Sequence, residues 1–211
     1  MTHKQLAFET TANTIIKNLN TRNIEGYFFE SSKDAVLAIL NMMPKGSSVT
    51  WGGSETLKES GMLDALQKGD YSLIDRSTAT TPAERRTQYS QMVLADYFFM
   101  STNAITMSGE LVNIDGNSNR VGLLVHGPAH VMILVGMNKL AADVESAVKR
   151  IRTYACPANA RKLNKKTPCG VIGKCSECLS AECMCNQVVI TRRSGHPGRI
   201  KVFFIAEELG F

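Results

Sequence analysis

Short hydrophobic runs alternate with amphipathic stretches along most of the chain. The runs that predict strands are Gly26–Phe29, Ser47–Trp51, Tyr71–Asp75, Tyr97–Met100 and Val131–Val135. Apolar residues at helical spacing, with Ser or Thr as caps, predict helices over 2–19, from Ser32 onward, over 81–94 and over 143–154. This alternation favours an α/β fold with a mostly parallel open sheet and helices on both faces. Such a sheet gathers its ligand-binding loops at the carboxyl ends of its strands.

Two segments break the alternation. Residues 105–114 predict an antiparallel ribbon that turns at Ser108 and Gly109. Near the end of the chain, 188–191 and 199–205 predict a terminal hairpin, because Gly195, Pro197 and Gly198 separate them. The chain has 211 residues and no evident internal repeat, so we expect one domain over 1–211.

A glycine-flanked segment follows the second predicted strand and precedes a helical stretch. Its candidate ligand-binding residues are Gly52, Gly53, Ser54, Glu55 and Thr56. Glycines let backbone amides approach an anion closely, and the two hydroxyl groups add hydrogen-bond donors. The alternative interpretation is an ordinary turn followed by a helix cap.

A second polar segment follows the strand at 97–100. Its candidate ligand-binding residues are Asn103, Thr106, Asn113, Asp115, Asn119 and Arg120. Such side chains bind small polar ligands, and Arg120 could hold an anionic group through two parallel hydrogen bonds. Glu110 is the one candidate nucleophile or base, although a solvent-facing strand carboxylate is the simpler interpretation. The Asn and Asp residues could equally serve only to close turns.

The cysteines are concentrated late in the chain, within a Cys-rich segment at 156–187. Cys169, Cys175, Cys178 and a fourth thiol, Cys183 or Cys185, could surround a zinc ion or an iron–sulfur cluster. The spacing matches neither common zinc fingers nor the usual ferredoxin pattern, so thiols without a metal remain open. We interpret Cys156 as a small core residue.

Charge and hydropathy restrict the class of partner. Residues 149–201 contain twelve Lys or Arg residues against two Glu residues, which favours an anionic ligand or an acidic partner. No nucleic-acid-binding motif accompanies this charge, so nucleic acid is a disfavoured partner. No apolar run reaches the roughly 20 residues of a membrane span, and no hydrophobic targeting segment is evident. We therefore expect a soluble, cytoplasmic protein.

Several short blocks occur in an order that resembles the LUD-domain family, also called LutC/YkgG-like lactate utilisation proteins. The resemblance runs from about residue 8 to the end of the chain, and its blocks comprise 51–57, 103–106, 109–116, 119–121, 126–128, 135–139, 157–159, 168–169, 173–175, Cys178, 185–186 and 208–211. Cys185 belongs to one of these blocks and is a candidate ligand, but the additional thiol Cys183 leaves the choice of the fourth ligand open. Relatives often carry an acidic residue where this chain has Met107, which weakens a carboxylate mechanism.

The resemblance implies a fold related to the NagB/RpiA sugar-phosphate isomerases and the CoA transferases, with both polar segments lining one cleft. It further implies an accessory or catalytic role in L-lactate oxidation to pyruvate, beside iron–sulfur redox subunits. The alternative is an enzyme or sensor for a phosphorylated or CoA-linked small molecule. The exposed edges of the ribbon and the hairpin also suggest a homodimer.

Overall fold

A computed structural model describes residues 1–211. The helices are α1 His3–Thr21, α2 Ser32–Asn41, α3 Glu55–Glu59, α4 Met62–Lys68, α5 Pro82–Val93, α6 Asn119–Val125, α7 Val144–Arg150, α8 Cys156–Lys162 and α9 Pro168–Ile172. The strands are β1 Glu25–Phe29, β2 Ser48–Trp51, β3 Ser72–Ile74, β4 Tyr97–Met100, β5 Ala104–Thr106, β6 Leu111–Asp115, β7 His130–Gly136, β8 Leu140–Ala141, β9 Gln187–Thr191 and β10 Ile200–Ile205. None of these helices combines the length and the apolar character that crossing a membrane requires.

The main sheet confirms the predicted α/β architecture. Its six strands are all parallel and lie in the order β1-β10-β7-β4-β2-β3. Alternate residues of each central strand point to opposite faces, so Phe98 and Phe204 pack against α1 and α6, whereas Phe99 and Phe203 pack against α2, α3 and α4. Burial on both faces explains why these strands are continuous hydrophobic runs.

A smaller sheet carries the predicted ribbon. β5 and β6 pair antiparallel, with Ala104 opposite Val112, and the turn between them contains Gly109 at a φ of 92°. This left-handed backbone suits glycine, which has no Cβ to clash. The order of this sheet is β8-β5-β6-β9, and α7 covers one face of it through Ala147.

The predicted terminal hairpin is wrong. β9 pairs antiparallel with β6 at the edge of the small sheet, whereas β10 lies between β1 and β7 in the main sheet. The intervening segment at 192–199 therefore crosses from one sheet to the other. The physical reason is burial: Val202–Ile205 are completely buried, and only a central position in a covered sheet shields both faces of a strand.

Candidate functional site

A cavity of about 430 Å³ opens at the carboxyl ends of β2, β4 and β7. Both polar segments contribute to its wall, as predicted for loops that follow neighbouring parallel strands. The predicted ligand-binding residues that line it are Gly53, Ser54, Glu55, Thr56, Asn103, Asp115, Asn119 and Arg120. Gly52, Thr106 and Asn113 lie outside its wall, as does Glu110.

The glycine segment brings the chain close to two arginines. The backbone N–H of Gly52 donates to Phe99 O at 2.9 Å, which fixes the loop to the end of β4. A Cβ on Gly53 would lie only 2.8 Å from Nη2 of Arg76, and one on Gly52 would lie 3.3 Å from Arg120. The backbone at Gly53 thus packs close to the guanidinium group of Arg76.

The hydroxyl groups of this segment are partly committed to the fold. Ser54 caps α3, since its Oγ accepts from the Leu57 N–H at 3.3 Å. Thr56 is buried and donates to Leu209 O at 3.1 Å. The helix-cap interpretation is thus correct for Ser54, and only its O–H remains available to a ligand.

Arg120 is a structural clamp, which corrects its predicted role as an anion fork. Its five N–H groups face protein acceptors: Asn113 Oδ1 at 2.6 Å, Ile114 O at 2.9 Å, Asn103 Oδ1 at 3.1 Å, Asp115 Oδ2 at 3.2 Å and Ser101 O at 3.4 Å. No donor is left for a ligand. The guanidinium group instead holds the ends of β4 and β6 together, and burial lowers the pKa of Arg120 below its usual value.

Two amide side chains keep free donors at the cavity wall. The Oδ1 of Asn103 accepts from Ile114 N–H and from Arg120, which orients the side chain and leaves its amide nitrogen without a partner. The side chain of Asn119 has no hydrogen-bond partner in the structure. By contrast, Asn113 uses both side-chain atoms within the clamp, donating to Thr102 Oγ1 at 3.1 Å.

Each carboxylate of the cavity has a cationic partner. Glu55 pairs with Lys162, Asp115 with Arg120, and Glu182 with Lys165. The hydrogen bond from Lys162 holds the pKa of Glu55 below its ordinary value, although burial acts in the opposite direction. These pairs neutralise one another and form the polar wall of the cavity.

Arg76 and Lys139 are the cavity cations that pair with no Asp or Glu side chain, and neither was among the predicted site residues. Arg76 is exposed and makes no hydrogen bond or ion pair. Lys139 is only 2 % exposed, and its Nζ donates to Phe211 O at 2.9 Å. Burial, reinforced by the charges of Arg150 and Arg120, lowers the pKa of Lys139 to about 7.

A positional rule could have found Lys139. It ends the turn that follows β7, and β7 is a central strand of the sheet. Ligand-binding loops follow the central strands of a parallel sheet, and the loop after β7 obeys this rule as do the loops after β2 and β4. Arg76 follows the edge strand β3 in the same way.

Glu110 lies in the turn between β5 and β6 and does not line the cavity. Its carboxylate pairs with Arg22 and accepts a hydrogen bond from Thr106. Burial alone would raise the pKa of Glu110, but these contacts hold it below its ordinary value. The simpler interpretation, a solvent-facing strand carboxylate, is wrong, because Glu110 lies in the turn before β6 and its side chain is only 18 % exposed. A catalytic role for Glu110 has no geometric support either.

Several thiols of the Cys-rich segment contact one another, since Cys183 hydrogen-bonds both Cys178 and Cys185. Cys169 is buried beside Thr167 Oγ1 at 3.2 Å, Cys178 contacts Ser180 Oγ at 3.5 Å, and the Sγ atoms of Cys156 and Cys185 are 3.4 Å apart. No three His, Cys, Asp or Glu side chains converge as ligands for a metal ion. The predicted shell of Cys169, Cys175, Cys178 and Cys185 is therefore not assembled in this structure.

The Cys156–Cys185 contact is an unequal thiol pair. The hydrogen bond with Cys156 lowers the pKa of Cys185 to about 6, and the same bond raises the pKa of Cys156. Cys156 also lines the cavity, as does Cys183. The interpretation of Cys156 as a simple core residue is thus incomplete.

Comparisons with known proteins agree with this architecture. A family model described as the LUD domain matches residues 12–205. A solved DUF162 family protein from Deinococcus radiodurans is 10% identical, with a TM-score of 0.50 over 97% of this chain and 98% of that one. A structure of eIF2B delta from Chaetomium thermophilum is 14% identical over 56% and 50% of the two chains, and its TM-score of 0.37 supports no conclusion. No curated protein matches the sequence.

Proposed function

Because the chain belongs to the LUD-domain family, we propose that its cavity binds a small organic anion in lactate utilisation, the process with which that family is associated. The observation that carries this proposal is Arg76, which lines the cavity and has no hydrogen-bond or ion-pair partner within the protein. An anion in the cavity can form a charged hydrogen bond with this free guanidinium group, which favours binding.

The other polar groups of the cavity suit a carboxylate or a phosphate. The free amide nitrogen of Asn103 and the hydroxyl group of Ser54 can donate hydrogen bonds to its oxygens. The clamp around Arg120 holds Asn103 in place before a ligand arrives. Preorganised donors reduce the ordering that binding requires, which favours affinity for a small ligand.

Calorimetry with L-lactate and pyruvate tests this proposal. We expect binding to weaken at least about tenfold in Arg76→Met, because a charged hydrogen bond to the ligand contributes roughly 1.5–3 kcal/mol. Arg86→Met is the matched control, since Arg86 is an exposed arginine of α5 outside the cavity. Absence of binding by any small acid, or equal affinities of the two variants, would contradict the proposal.

A phosphorylated or CoA-linked ligand is the second candidate. The cavity volume of about 430 Å³ favours it, because a three-carbon acid leaves much of that space unfilled. A phosphate also carries more charge for Arg76 to neutralise. The same calorimetry with phosphosugars and CoA esters separates the candidates: submicromolar binding of one of these, with millimolar binding of lactate, would replace the first candidate by the second.

The role beside iron–sulfur redox subunits stays part of this proposal. Its support is that Cys156 and Cys183, both within the Cys-rich segment, border the same cavity, so this segment joins the ligand site to the protein surface. Anaerobic co-purification with the lactate-oxidising partners tests it, with loss of growth on lactate after deletion as the second readout. Normal growth and no association would leave only the ligand-binding function.

Metal binding at the Cys-rich segment stays a prediction that requires rearrangement. Cys185 would have to leave Cys156 before joining Cys169, Cys175 and Cys178. Metal analysis and a visible spectrum of anaerobically purified protein distinguish zinc, an iron–sulfur cluster and free thiols. We derive no step of the function through a metal.

A homodimer also stays a prediction. The outer edge of the small sheet is β9, on which Val188 and Ile190 are about half exposed, and an unpaired strand edge can be covered by a second copy. Light scattering measures the mass in solution directly. A lysine at position 188 should abolish the dimer if β9 forms its interface.

A further inference from the structure

Four of the thiols form a chain of contacts that ends at the cavity. The Sγ atoms of Cys156 and Cys185 are 3.4 Å apart. Cys183 hydrogen-bonds both Cys185 and Cys178. Cys156 and Cys183 also line the cavity, yet the proposed binding of an anion uses no thiol as a reactant.

We propose that the Cys156–Cys185 contact is a modification site, at which a hydroperoxide converts the two thiols into a disulfide. This inference goes beyond the proposed function and does not depend on which anion the cavity receives. The geometry favours a disulfide over a metal site. Zinc sites use three or four protein ligands, and no three such side chains converge, whereas a disulfide requires only two thiols in contact.

The two thiols are held differently, which lets them approach each other. Cys156 is the first residue of α8 and is 8 % exposed, whereas Cys185 is partly exposed in the loop before β9. Their Sγ atoms have to move from 3.4 Å apart to about 2.05 Å. The loop can supply this movement, since Cys185 belongs to no helix or strand. The cavity gives a small oxidant a path to the contact, because Cys156 and Met184, the residue before Cys185, line it.

The reaction is balanced with hydrogen peroxide as the oxidant. The more exposed thiol, Cys185, reacts first: its thiolate attacks a peroxide oxygen, an S–O bond forms, the O–O bond breaks and hydroxide leaves. The Sγ of Cys156 then attacks the oxidised sulfur, the S–S bond forms, the S–O bond breaks and a second hydroxide leaves. The two thiol protons convert both hydroxide ions into water. Two electrons therefore pass from the two thiols to one peroxide.

Thiol mapping of the full chain tests this assignment. Anaerobically purified protein is treated with one equivalent of hydrogen peroxide, then denatured and alkylated so that the remaining free thiols are marked. We expect at least about tenfold more Cys156–Cys185 disulfide than any other pair, because the contact makes the second step intramolecular. The intact mass should fall by two hydrogen atoms, and dithiothreitol should restore both thiols. Cys169 and Cys175 should stay reduced.

A set of variants separates the outcomes. The double variant Cys178→Ser with Cys183→Ser removes the thiols that compete for Cys185 and should leave the disulfide intact. In this background, Cys156→Ser should abolish the disulfide, and Cys175→Ser, the matched control, should leave it unchanged. Thermal melting verifies that each variant is folded, and Cys185→Ser in the loop is a second variant if Cys156→Ser does not fold. Preferential pairing of other cysteines, oxidation to a sulfinic acid without a disulfide, or a bound metal ion that keeps these thiols unreactive overturns the assignment.

Discussion

Replacing Lys139 by methionine should stabilise the protein at neutral pH. Because the folded protein lowers the pKa of this buried amine from 10.5 to about 7, the unfolded chain binds more protons between these values. The lysine therefore destabilises the fold most at and below pH 7, and this effect declines as the pH rises toward 10.5. Methionine has a similar length and no charge, so it removes the whole effect.

The magnitude follows from the size of the pKa change. A fall from 10.5 to about 7 corresponds to roughly 4 kcal/mol of destabilisation at pH 7, as an upper limit. The variant loses the hydrogen bond to Phe211 O, which offsets about 1 kcal/mol. We therefore expect the free energy of unfolding to increase by about 2–3 kcal/mol.

Urea denaturation at pH 7 and at pH 9.5 measures this difference. The gain in the free energy of unfolding should be smaller at pH 9.5, and Lys149→Met should change it by less than about 0.5 kcal/mol at either pH, because Lys149 is exposed. A destabilised Lys139→Met variant, or a gain that does not depend on pH, would refute the reasoning.

Three further substitutions test other parts of the structure. Arg120→Met leaves the buried carboxylate of Asp115 without its partner, so it should lower the free energy of unfolding by about 3–5 kcal/mol. A loss below about 1 kcal/mol in urea denaturation would contradict the structural role of Arg120. The rate of alkylation of Cys185 by iodoacetamide should have its pH midpoint at about 6. Cys156→Ala should raise that midpoint, because the hydrogen bond that stabilises the Cys185 thiolate is lost. An unchanged midpoint would contradict the unequal thiol pair. Phe203→Ala should lower the free energy of unfolding by about 3–5 kcal/mol, measured by calorimetry, because this fully buried ring fills the core between β10 and the helices. A near-zero change would mean that the core collapses into the space that the ring leaves.

The fold could be predicted from the sequence where burial leaves a simple pattern. Tyr97–Met100 and Val131–Val135 are continuous apolar runs because helices cover both faces of the sheet. The terminal hairpin was predicted from turn residues alone, and the error was to treat 188–191 and 199–205 as equivalent strands. Their patterns differ: Val188 and Ile190 are exposed on an edge strand, whereas Val202–Ile205 form an uninterrupted apolar run typical of a central strand.

The site was predicted less completely because a sequence does not show which charge pairs with which. Arg120 was expected to bind a ligand, but its partners come from β6 and from the segment after β4, and they saturate it. Lys139 was overlooked because the rule that ligand-binding loops follow the central strands was applied to β2 and β4 but not to β7. Its burial arises only when β7 and the Phe211 segment come together. Cys185 likewise acquires its partner from α8, at Cys156.

The charges of the cavity divide into two groups with different consequences. Glu55, Asp115 and Glu182 each pair with a cation, so these groups fix the shape of the wall and contribute little net field. Arg76 has no such partner, whereas Lys139 is withdrawn from water and donates to Phe211 O. Under the proposed function, an anion in the cavity meets Arg76 and the free amide nitrogen of Asn103, while the saturated Arg120 only holds the wall in place.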